Sequence, residues 1–446
     1  METPEAKKPR PDWLGRLLDQ PLLVWILLGF LASYLLFFLR PVFLNPKGVM
    51  YFPDYVRANG RIGSDLAINL GYARTWLVKH QNPYVGVNLN AEDFHPPLGT
   101  LLFSSLIFLP FRYAYLIVTL LTMVGYGVST LWFARWASGT RRLTPTLLLL
   151  AVTGFLSYGF QFQLERGQFD VIAMTLGLAA IAVFYGRPRL RPLSYVLLTL
   201  AIQLKVWPAI LIVAFVADWR NWRREGLRIL GILILNAACL FVLGPRIFLD
   251  FFQSISQHVL VPFHSAVNHS AASFAMELFP SHPGPLELAI WALVAACLLY
   301  AIWGARAGRL PGLNPYLLLV CTIAALVVPT ISDDYTLPIL IAPAAIFFSC
   351  LQIPQKGQMR AGLGIVLIFL ASLAYSSLLF SFTNRMSLPL LASRVSPFFT
   401  ENGLPAILVL LLAATALVAL GCGGSGEINP RATPASPPDS SQADGQ

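Results

Sequence analysis

Residues 21–39 read PLLVWILLGFLASYLLFFL, an apolar run that contains no charged side chain. A helix of this length crosses the roughly 30 Å hydrocarbon core of a bilayer. Comparable runs recur along the 446-residue chain, of which 56% is apolar and 12% charged. The runs are continuous rather than alternating, so they predict an all-α polytopic membrane protein and not a closed barrel. The first run exceeds the apolar core of a signal peptide and no small-residue cleavage site follows it, which predicts that it is retained.

Short basic segments between the apolar runs predict the orientation of the chain. Lys and Arg cluster in segments 1–20, 135–143, 186–192, 219–228, 305–314 and 352–360. The positive-inside rule places these segments on the cytoplasmic side of the membrane. We therefore predict a protein of the cytoplasmic (inner) membrane with its amino terminus inside the cell. The basic cytoplasmic segments explain the formal net charge of +10. Nucleic-acid binding is therefore not needed to explain the basic composition. The Pro- and Ser-rich segment 422–446 is predicted to be a disordered cytoplasmic tail.

The same topology divides the chain into three parts. Segment 1–20 is a cytoplasmic amino-terminal segment, 21–421 forms the membrane domain with 40–96 as its first outer loop, and 422–446 is the tail. We predict about twelve spans, near 21–39, 97–134, 144–162, 169–185, 193–204, 206–218, 228–244, 285–304, 315–330, 336–351, 361–381 and 405–421. Within 97–134 we expect a short helix, a break at LPFR and then a full span.

The pair 193–204 and 206–218 is too short for two complete spans. Twelve helical residues reach about 18 Å, and both ends of the pair are basic, so the chain should enter the membrane and return, turning at QLKVWP. Lys205 then lies near the turn. An ionisable side chain at that depth is expected to face a protein or water cavity.

Polar residues collect in the outer loops, not near the bilayer midplane where a transporter holds its substrate. They occur in GSDLAINLGY (63–72), QLERGQFD (163–170), HSAVNHS (264–270) and ISDDYTLP (331–338). This distribution favours an enzyme at the outer surface. A lipid or polysaccharide transporter or flippase remains the alternative and predicts an ionisable path across the membrane. A non-enzymatic scaffold predicts that Asp65→Ala is tolerated.

Nucleotide-binding, metalloprotease and hydrolase motifs are absent from the sequence. The five cysteines have neither metal-ligand nor disulfide spacing. An activated donor used outside the cytoplasm, where free nucleotides are scarce, is therefore expected to be lipid-linked.

Asp65 is the leading candidate for a catalytic carboxylate. It opens a helix predicted to run to about His80, and Asn69 and Tyr72 follow at i+4 and i+7, on the same face. Asp54, in a predicted loop, is the competing candidate. A purely structural role for Asp65 would be to complement the positive end of the helix.

Several motifs together resemble glycosyltransferase family 87, the polyprenyl-phosphate-sugar-dependent, α-mannosyltransferase-like group with the C-type membrane fold. The motifs are an Asp before GYARTWLVKHQNPYV, then FHPPLGTLLFSSLIFLP, ERGQFD, LAIQLKVWPAILIV with DWRNWRR, NHS and PTISDDYTLP. Their order and spacing carry the resemblance, over roughly residues 20–350.

The resemblance implies a C-type glycosyltransferase helical bundle that transfers a hexose, mannose in this group, to an acceptor hydroxyl at the outer face with inversion. A carboxylate in the first outer loop is the general base in this family, and Asp65 holds the matching position. The chain departs from the family at His95, where Tyr is more usual, and at Asp170, where Asn is more usual. Both departures bear on recognition of the donor sugar or the acceptor.

The remaining candidates follow from the chemistry of that reaction. Lys205 and Arg166 are predicted to bind the donor phosphate, because fixed cations stabilise the charge that develops there. With only a structural role, Arg166 would pair with Glu165 or Asp170, and Lys205 would extend to the outer interface. The predicted substrate contacts are Asn69, Tyr72, His95, Gln168, Asp170, His264, Asn268, Asp333, Asp334 and Tyr335. Adjacent carboxylates alone are a poor metal signature, so we predict no metal site or cofactor and leave a divalent cation open. The predicted partners are a polyprenyl-phosphate sugar, a glycolipid or glycan acceptor, and the bilayer.

Overall fold

A computed structural model of the chain describes residues 62–85, 95–139, 143, 145–155, 158–218, 221–258, 268–307 and 314–350. The spans predicted at 21–39, 361–381 and 405–421, the amino-terminal segment and the tail lie outside the described residues. Asp54 and His264 lie outside them too.

Nearly all of the described chain is helical. We number the α-helices in chain order: α1 (Ser64–Leu77), α2 (Pro97–Phe103), α3 (Phe111–Gly127), α4 (Phe133–Ser138), α5 (Pro145–Phe155), α6 (Tyr158–Arg166), α7 (Asp170–Gly186), α8 (Arg191–Leu204), α9 (Trp222–Leu240), α10 (Pro245–His258), α11 (Ala271–Leu278), α12 (Gly284–Ala307), α13 (Pro315–Val327) and α14 (Ile341–Cys350). Short 3₁₀ helices occur at Ser104–Phe108, Pro188–Leu190, Trp207–Phe215 and Asp334–Leu340, and a π turn at Val128–Trp132 joins α3 to α4. No β-strand forms in the described ranges, which confirms the prediction of an all-α protein.

Two helical segments are long and apolar enough to cross a membrane, Phe111–Ser138 and Gly284–Trp303. A third candidate is the pair α9 and α10, which meets the criterion as a unit but bends by 101° between its two helices. The described helices therefore contain two or three candidate spans.

The helix boundaries agree with the predicted spans in some places and differ in others. The break in 97–134 is confirmed, because the chain turns at Leu109 and Pro110 before α3 begins. The turn at QLKVWP is also confirmed, since α8 ends at Leu204 and Lys205 is extended. The second arm of that pair is a 3₁₀ helix, Trp207–Phe215, and not the α-helix expected from its apolar pattern. The predicted span 144–162 is divided between α5 and α6.

The larger apolar core surrounds α13. All of the residues of α13 are buried, from Pro315 to Val327. A helix that is apolar on every side belongs in the interior of a bundle, and α4, α5, α7, α8, α12 and α14 contribute side chains around it. This core supports α7 and α8, whose adjacent ends carry polar residues.

A second apolar core places α1 beside the α6–α7 turn. It contains Leu66 and Leu70 of α1, Tyr115 of α3, and Leu164 and Phe169 at the turn. The apolar residues of α1 therefore lie on the same side as Asp65, which is buried together with them. This packing takes the predicted carboxylate out of bulk water.

Candidate active site

The carboxylate of Asp65 is held by side chains from the turn between α6 and α7. Arg166 makes two contacts with it: Nη2 lies 2.9 Å from Oδ1, and Nε donates to Oδ2 at 3.0 Å. Gln168 Nε2 donates to Oδ2 at 2.6 Å, and Ser64 Oγ donates to Oδ1 at 3.1 Å. Such paired, charge-assisted hydrogen bonds fix both the position and the orientation of a carboxylate.

This arrangement corrects the structural partner expected for Arg166. If Arg166 had only a structural role, we expected it to pair with Glu165 or Asp170. It pairs with Asp65 instead, because α1 packs across the end of α6. Burial lowers the pKa of Arg166, but the charge and hydrogen bonds of Asp65 outweigh burial, so that the pKa of Arg166 is raised.

Backbone contacts hold α1 against the α6–α7 turn. Gly63 N donates to the carbonyl of Glu165 at 2.6 Å. Gly167 has φ +71°, and a Cβ atom there would lie 3.0 Å from Leu66 Cβ. Gly167 thus meets two requirements, a left-handed backbone and close approach to α1.

Gly167→Ala should therefore destabilise the protein. Left-handed backbone costs a residue with a Cβ atom roughly 1–2 kcal/mol, and the crowding against Leu66 adds to that cost. We expect the thermal midpoint in detergent to fall by several degrees.

Gly71→Ala is the matched control for this substitution. Gly71 lies within α1, and a Cβ atom there would have no neighbour within 4 Å. Ala should raise stability by about 0.5–1 kcal/mol through its higher helix propensity. Equal effects of the two substitutions would contradict the role given to Gly167.

A second polar group contains Lys205 and Asp170. Lys205 Nζ lies 3.7 Å from Asp170 Oδ2 and 5.4 Å from the ring centroid of Tyr335. Asp170 also accepts a hydrogen bond of 2.9 Å from Trp207 Nε1. The side chain of Lys205 is 13% exposed, so most of it is enclosed by protein.

Two aromatic rings connect this group to the Asp65 group. Phe162 lies against Tyr335, with 6.0 Å between ring centroids, and the Arg166 guanidinium lies 5.7 Å from the Phe162 centroid. Lys205 contacts the same Tyr335 ring. The two cations predicted to bind phosphate therefore belong to one continuous cluster.

His95 lies beside this cluster, between α2 and the end of α8. Its Nδ1 atom is 2.7 Å from the carbonyl oxygen of Leu204, the residue before Lys205. Because a carbonyl only accepts, Nδ1 carries the proton, and Nε2 is an acceptor in the neutral ring. Phe103 and Phe169 pack edge-on against the imidazole.

Tyr84 is a site-supporting residue that the sequence analysis missed. Its hydroxyl donates to the His95 carbonyl at 2.7 Å. Burial raises the pKa of Tyr84 well above its usual value, so the hydroxyl remains protonated as a donor. Its place in the QNPYV motif was the available signal.

Two of the predicted contacts in the later loops hold those loops together through hydrogen bonds to the backbone. Asn268 pairs with Asp333 in an isolated antiparallel bridge. The amide of Asn268 donates to Thr330 O at 2.8 Å and accepts from Ser332 N at 2.8 Å. Asn268 therefore has a structural role in joining the two loops. Its contact with substrate stays a prediction. The side chain of Asp334 lies outside the described residues.

Asn69 and Tyr72 share the buried face of α1 with Asp65, as their spacing predicted. Asn69 Nδ2 donates to the backbone carbonyl of Asp65 at 2.9 Å. Both side chains therefore lie on the face of α1 that carries the carboxylate.

Glu165 is the acidic residue whose importance the sequence did not reveal. The sequence indicates only a structural role for it, as a partner of Arg166. The residue is 4% exposed, and Oε2 has no hydrogen-bond partner among the described residues. Burial raises the pKa of Glu165 to about 7, against a lowering by Arg166 and with a further increase from Asp65.

The raised pKa of Glu165 predicts a pH-dependent stability. A carboxyl group with a pKa near 7 when folded, compared with 4.5 as its ordinary value, stabilises the fold at low pH. That stabilisation is lost as pH rises from about 5 through 7. At about 1.4 kcal/mol per pKa unit, the loss approaches about 3 kcal/mol at pH 8.

Glu165→Gln should remove this dependence, because the amide does not titrate. Thermal midpoints measured between pH 5 and pH 8 should fall more steeply for the wild type than for Glu165→Gln. Parallel curves for the two proteins would show that Glu165 does not titrate in this interval.

No group of three or more His, Cys, Asp or Glu side chains within the described part of the chain is placed to hold a metal ion. The chemistry available in the cluster is that of carboxylates, two fixed cations, an imidazole and hydrogen-bonding amides.

The protein has apolar helices long enough to span a membrane. It also has a buried polar cluster where the ends of α1, α6, α7 and α8 meet. These two features define a helical membrane protein with a candidate active site. The chain belongs to glycosyltransferase family 87, whose model matches residues 94–329. The protein is therefore a membrane glycosyltransferase, and the resemblance seen in the motifs is confirmed. The match begins at residue 94, so Asp65 precedes the matched region. No curated protein sequence matches the chain at a significant level.

Proposed function

We propose that this glycosyltransferase moves a hexose, mannose, from a polyprenyl phosphate to an acceptor hydroxyl at the outer face of the cytoplasmic membrane, with inversion. The observation that carries the proposal is the Asp65 carboxylate, buried and oriented by Arg166 and Gln168. A fixed carboxylate suits an inverting transfer, because it accepts the proton of the attacking hydroxyl without forming a covalent intermediate.

The acceptor hydroxyl replaces the Ser64 hydroxyl on Asp65. A carboxylate offers about four acceptor positions, and Ser64, Gln168 and the two Arg166 contacts account for four bonds. The Ser64 bond is the longest of these, at 3.1 Å, and Ser64 precedes Asp65 directly in the chain. Its hydroxyl can rotate away, which opens Oδ1 to a substrate hydroxyl while Arg166 and Gln168 stay in place.

Lys205 and Arg166 bind the donor phosphate. Asp170 partly balances the charge of Lys205 across 3.7 Å. Arg166 uses two contacts for Asp65, and its guanidinium has five N–H donors, which leaves others for phosphate oxygens. As the sugar–phosphate bond breaks, the charge that develops on the phosphate is stabilised by these fixed cations.

The remaining polar residues surround the sugar and the acceptor. The proposed contacts are Asn69, Tyr72, His95, Gln168, Asp170, His264, Asn268, Asp333, Asp334 and Tyr335. His95 Nε2, on the side of the ring away from the Leu204 carbonyl, contacts a sugar hydroxyl. The proposed acceptor is a glycolipid or glycan.

Donor use tests this function directly. The purified protein is reconstituted in vesicles with polyprenyl-phosphate mannose and a membrane glycolipid extract, and the release of polyprenyl phosphate is measured. We expect release, together with inversion at the anomeric carbon of the product as shown by NMR. A retained configuration would reject the base mechanism. Movement of the donor between leaflets without release of polyprenyl phosphate would support the transporter alternative.

The proposed arrangement in the membrane has about twelve spans, with the amino terminus and the tail 422–446 inside. Segments 63–86, 163–170, 258–270 and 331–335 then face outside. Single cysteines introduced there, in a background without the native cysteines, should react with an impermeant maleimide in intact cells. A cysteine introduced into 219–228 is the control that should react only after permeabilisation. Protection of any one outer segment would overturn the topology.

A further inference from the structure

The amphipathic helix α10 has a face that the described protein does not cover. It lies in the outer loop that the sequence predicts between the spans 228–244 and 285–304. The chain bends by 101° as it passes from α9 into α10, and Gly244 at the bend has φ +109°. If α9 crosses the bilayer, α10 runs nearly parallel to the membrane plane.

Three faces of α10 can be distinguished, and the first of them is buried against the protein. Ile247, Phe251 and Ser254, spaced by four and three residues, are buried. They pack on Tyr84: the rings of Phe251 and Tyr84 are 5.2 Å apart, and Ser254 Oγ is 3.5 Å from Tyr84 O. A hydrogen bond from Asn82 Nδ2 to Asp250 Oδ2, 2.6 Å long, also holds α10 in place.

A second face of α10 is apolar and exposed. Leu249 is 63% exposed and Phe252 is 59% exposed, and Phe248 lies beside them with its ring 6.3 Å from that of Phe252. Phe241, at the bend, continues this surface, since its ring is 4.2 Å from the Phe248 ring.

The exposed apolar surface continues along α9. Leu230, Leu233 and Ile234 of that helix are each about half exposed or more, as expected for the lipid-facing side of a span. The apolar face of α10 is therefore joined to a membrane surface through the bend.

The third face of α10 is polar and exposed. Arg246, Gln253 and Gln257 occupy it, at spacings of seven and four residues. A helix with apolar and polar sectors side by side, and a cation in the polar sector, has the pattern of a helix that lies in a membrane interface.

We propose that α10 lies in the plane of the membrane interface, on the side of the polar cluster. Phe248, Leu249 and Phe252 enter the acyl region, whereas Arg246, Gln253 and Gln257 face the lipid headgroups. The occupant of the exposed apolar face is the bilayer itself.

This position has a consequence for the site. The buried face of α10 packs on Tyr84, and the hydroxyl of Tyr84 bonds the carbonyl of His95. The depth of α10 therefore sets the depth of His95 and its neighbours at about the level of the headgroups. That is where the phosphate of any lipid-borne substrate lies.

Depth-dependent fluorescence quenching tests the proposal. Single cysteines at positions 249, 252, 253 and 257, in a background without the native cysteines, are labelled with an environment-sensitive fluorophore. The full-length protein is reconstituted in phosphatidylcholine vesicles. Labels at 249 and 252 should be quenched severalfold more by acyl-chain doxyl lipids than labels at 253 and 257, and aqueous iodide should show the reverse order.

A label at position 299 is the control for lipid exposure, since Leu299 is 66% exposed on the candidate span α12. Equal quenching at all four positions of α10 by iodide, with lipid quenching seen only at 299, would place α10 in water and overturn the proposal. Neither result depends on the sugar donor, so the outcome is separate from the test of the proposed function.

Discussion

Asp65→Asn should lower turnover of the lipid-linked donor by about 10²–10⁴-fold, the usual contribution of a general base. Asn keeps the size of the side chain and one of its oxygen acceptors, so Gln168 and Arg166 retain a partner. Donor binding should therefore change far less than turnover. The measurement is release of polyprenyl phosphate at saturating donor, compared with donor affinity from a binding titration.

Two further variants make this result specific. Ser64→Ala removes the hydroxyl that we expect the acceptor to replace, so turnover should stay within a few-fold of the wild type. Asp54→Asn tests the competing carboxylate of the first outer loop. Near-normal turnover for Asp65→Asn, with a collapse for Asp54→Asn at matched thermal stability, would transfer the role of base to Asp54.

Lys205→Met should lower donor turnover by about 10²-fold or more. Loss of one fixed group that stabilises developing charge commonly costs 10²–10³-fold. The substitution also leaves Asp170 without its cation, although Trp207 still donates to it. Donor affinity should weaken together with turnover, because the ammonium contacts phosphate in both the ground state and the transition state.

Lys79→Met is the matched control, since Lys79 is an exposed lysine just after α1. Lys205→Arg should keep part of the activity, because it retains the charge at a somewhat different position. If Lys205→Met folds with the wild-type thermal midpoint and uses the donor normally, Lys205 does not bind the donor phosphate.

The sequence predicted the helical elements best where apolar runs have clear ends. The break before α3 and the end of α8 at Lys205 follow from Pro110 and from the polar residues in QLKVWP, both visible without a structure. The 3₁₀ helix at 207–215 was not predicted, because an apolar run of that length has the same composition in either helical form. The helical character of α10 was not predicted, although its apolar residues recur at helical spacing in the sequence, from Ile247 and Phe248 to Phe251, Phe252 and Ile255.

Within the site, the sequence identified residues but not their pairs. Asp65 and Arg166 are 101 positions apart, and no local pattern connects them. Their pairing depends on how Gly63 and Gly167 allow α1 to approach the α6–α7 turn. Glu165 differs from any exposed glutamate only through its burial, and burial is a property of the packed chain.

The sequence by itself determined that this is a helical membrane protein of glycosyltransferase family 87. The free energy of transferring an apolar segment into lipid is approximately the sum of the contributions of its consecutive residues, so it can be read from the sequence. The family motifs are also stretches of sequence that can be compared directly. Only the tertiary structure decided that Asp65 is held by Arg166 and Gln168, that Lys205 faces Asp170 and Tyr335, and that α10 lies across the end of α9. These are contacts between distant segments, and their energies depend on distances of a few ångströms that are set by the packing of the apolar cores.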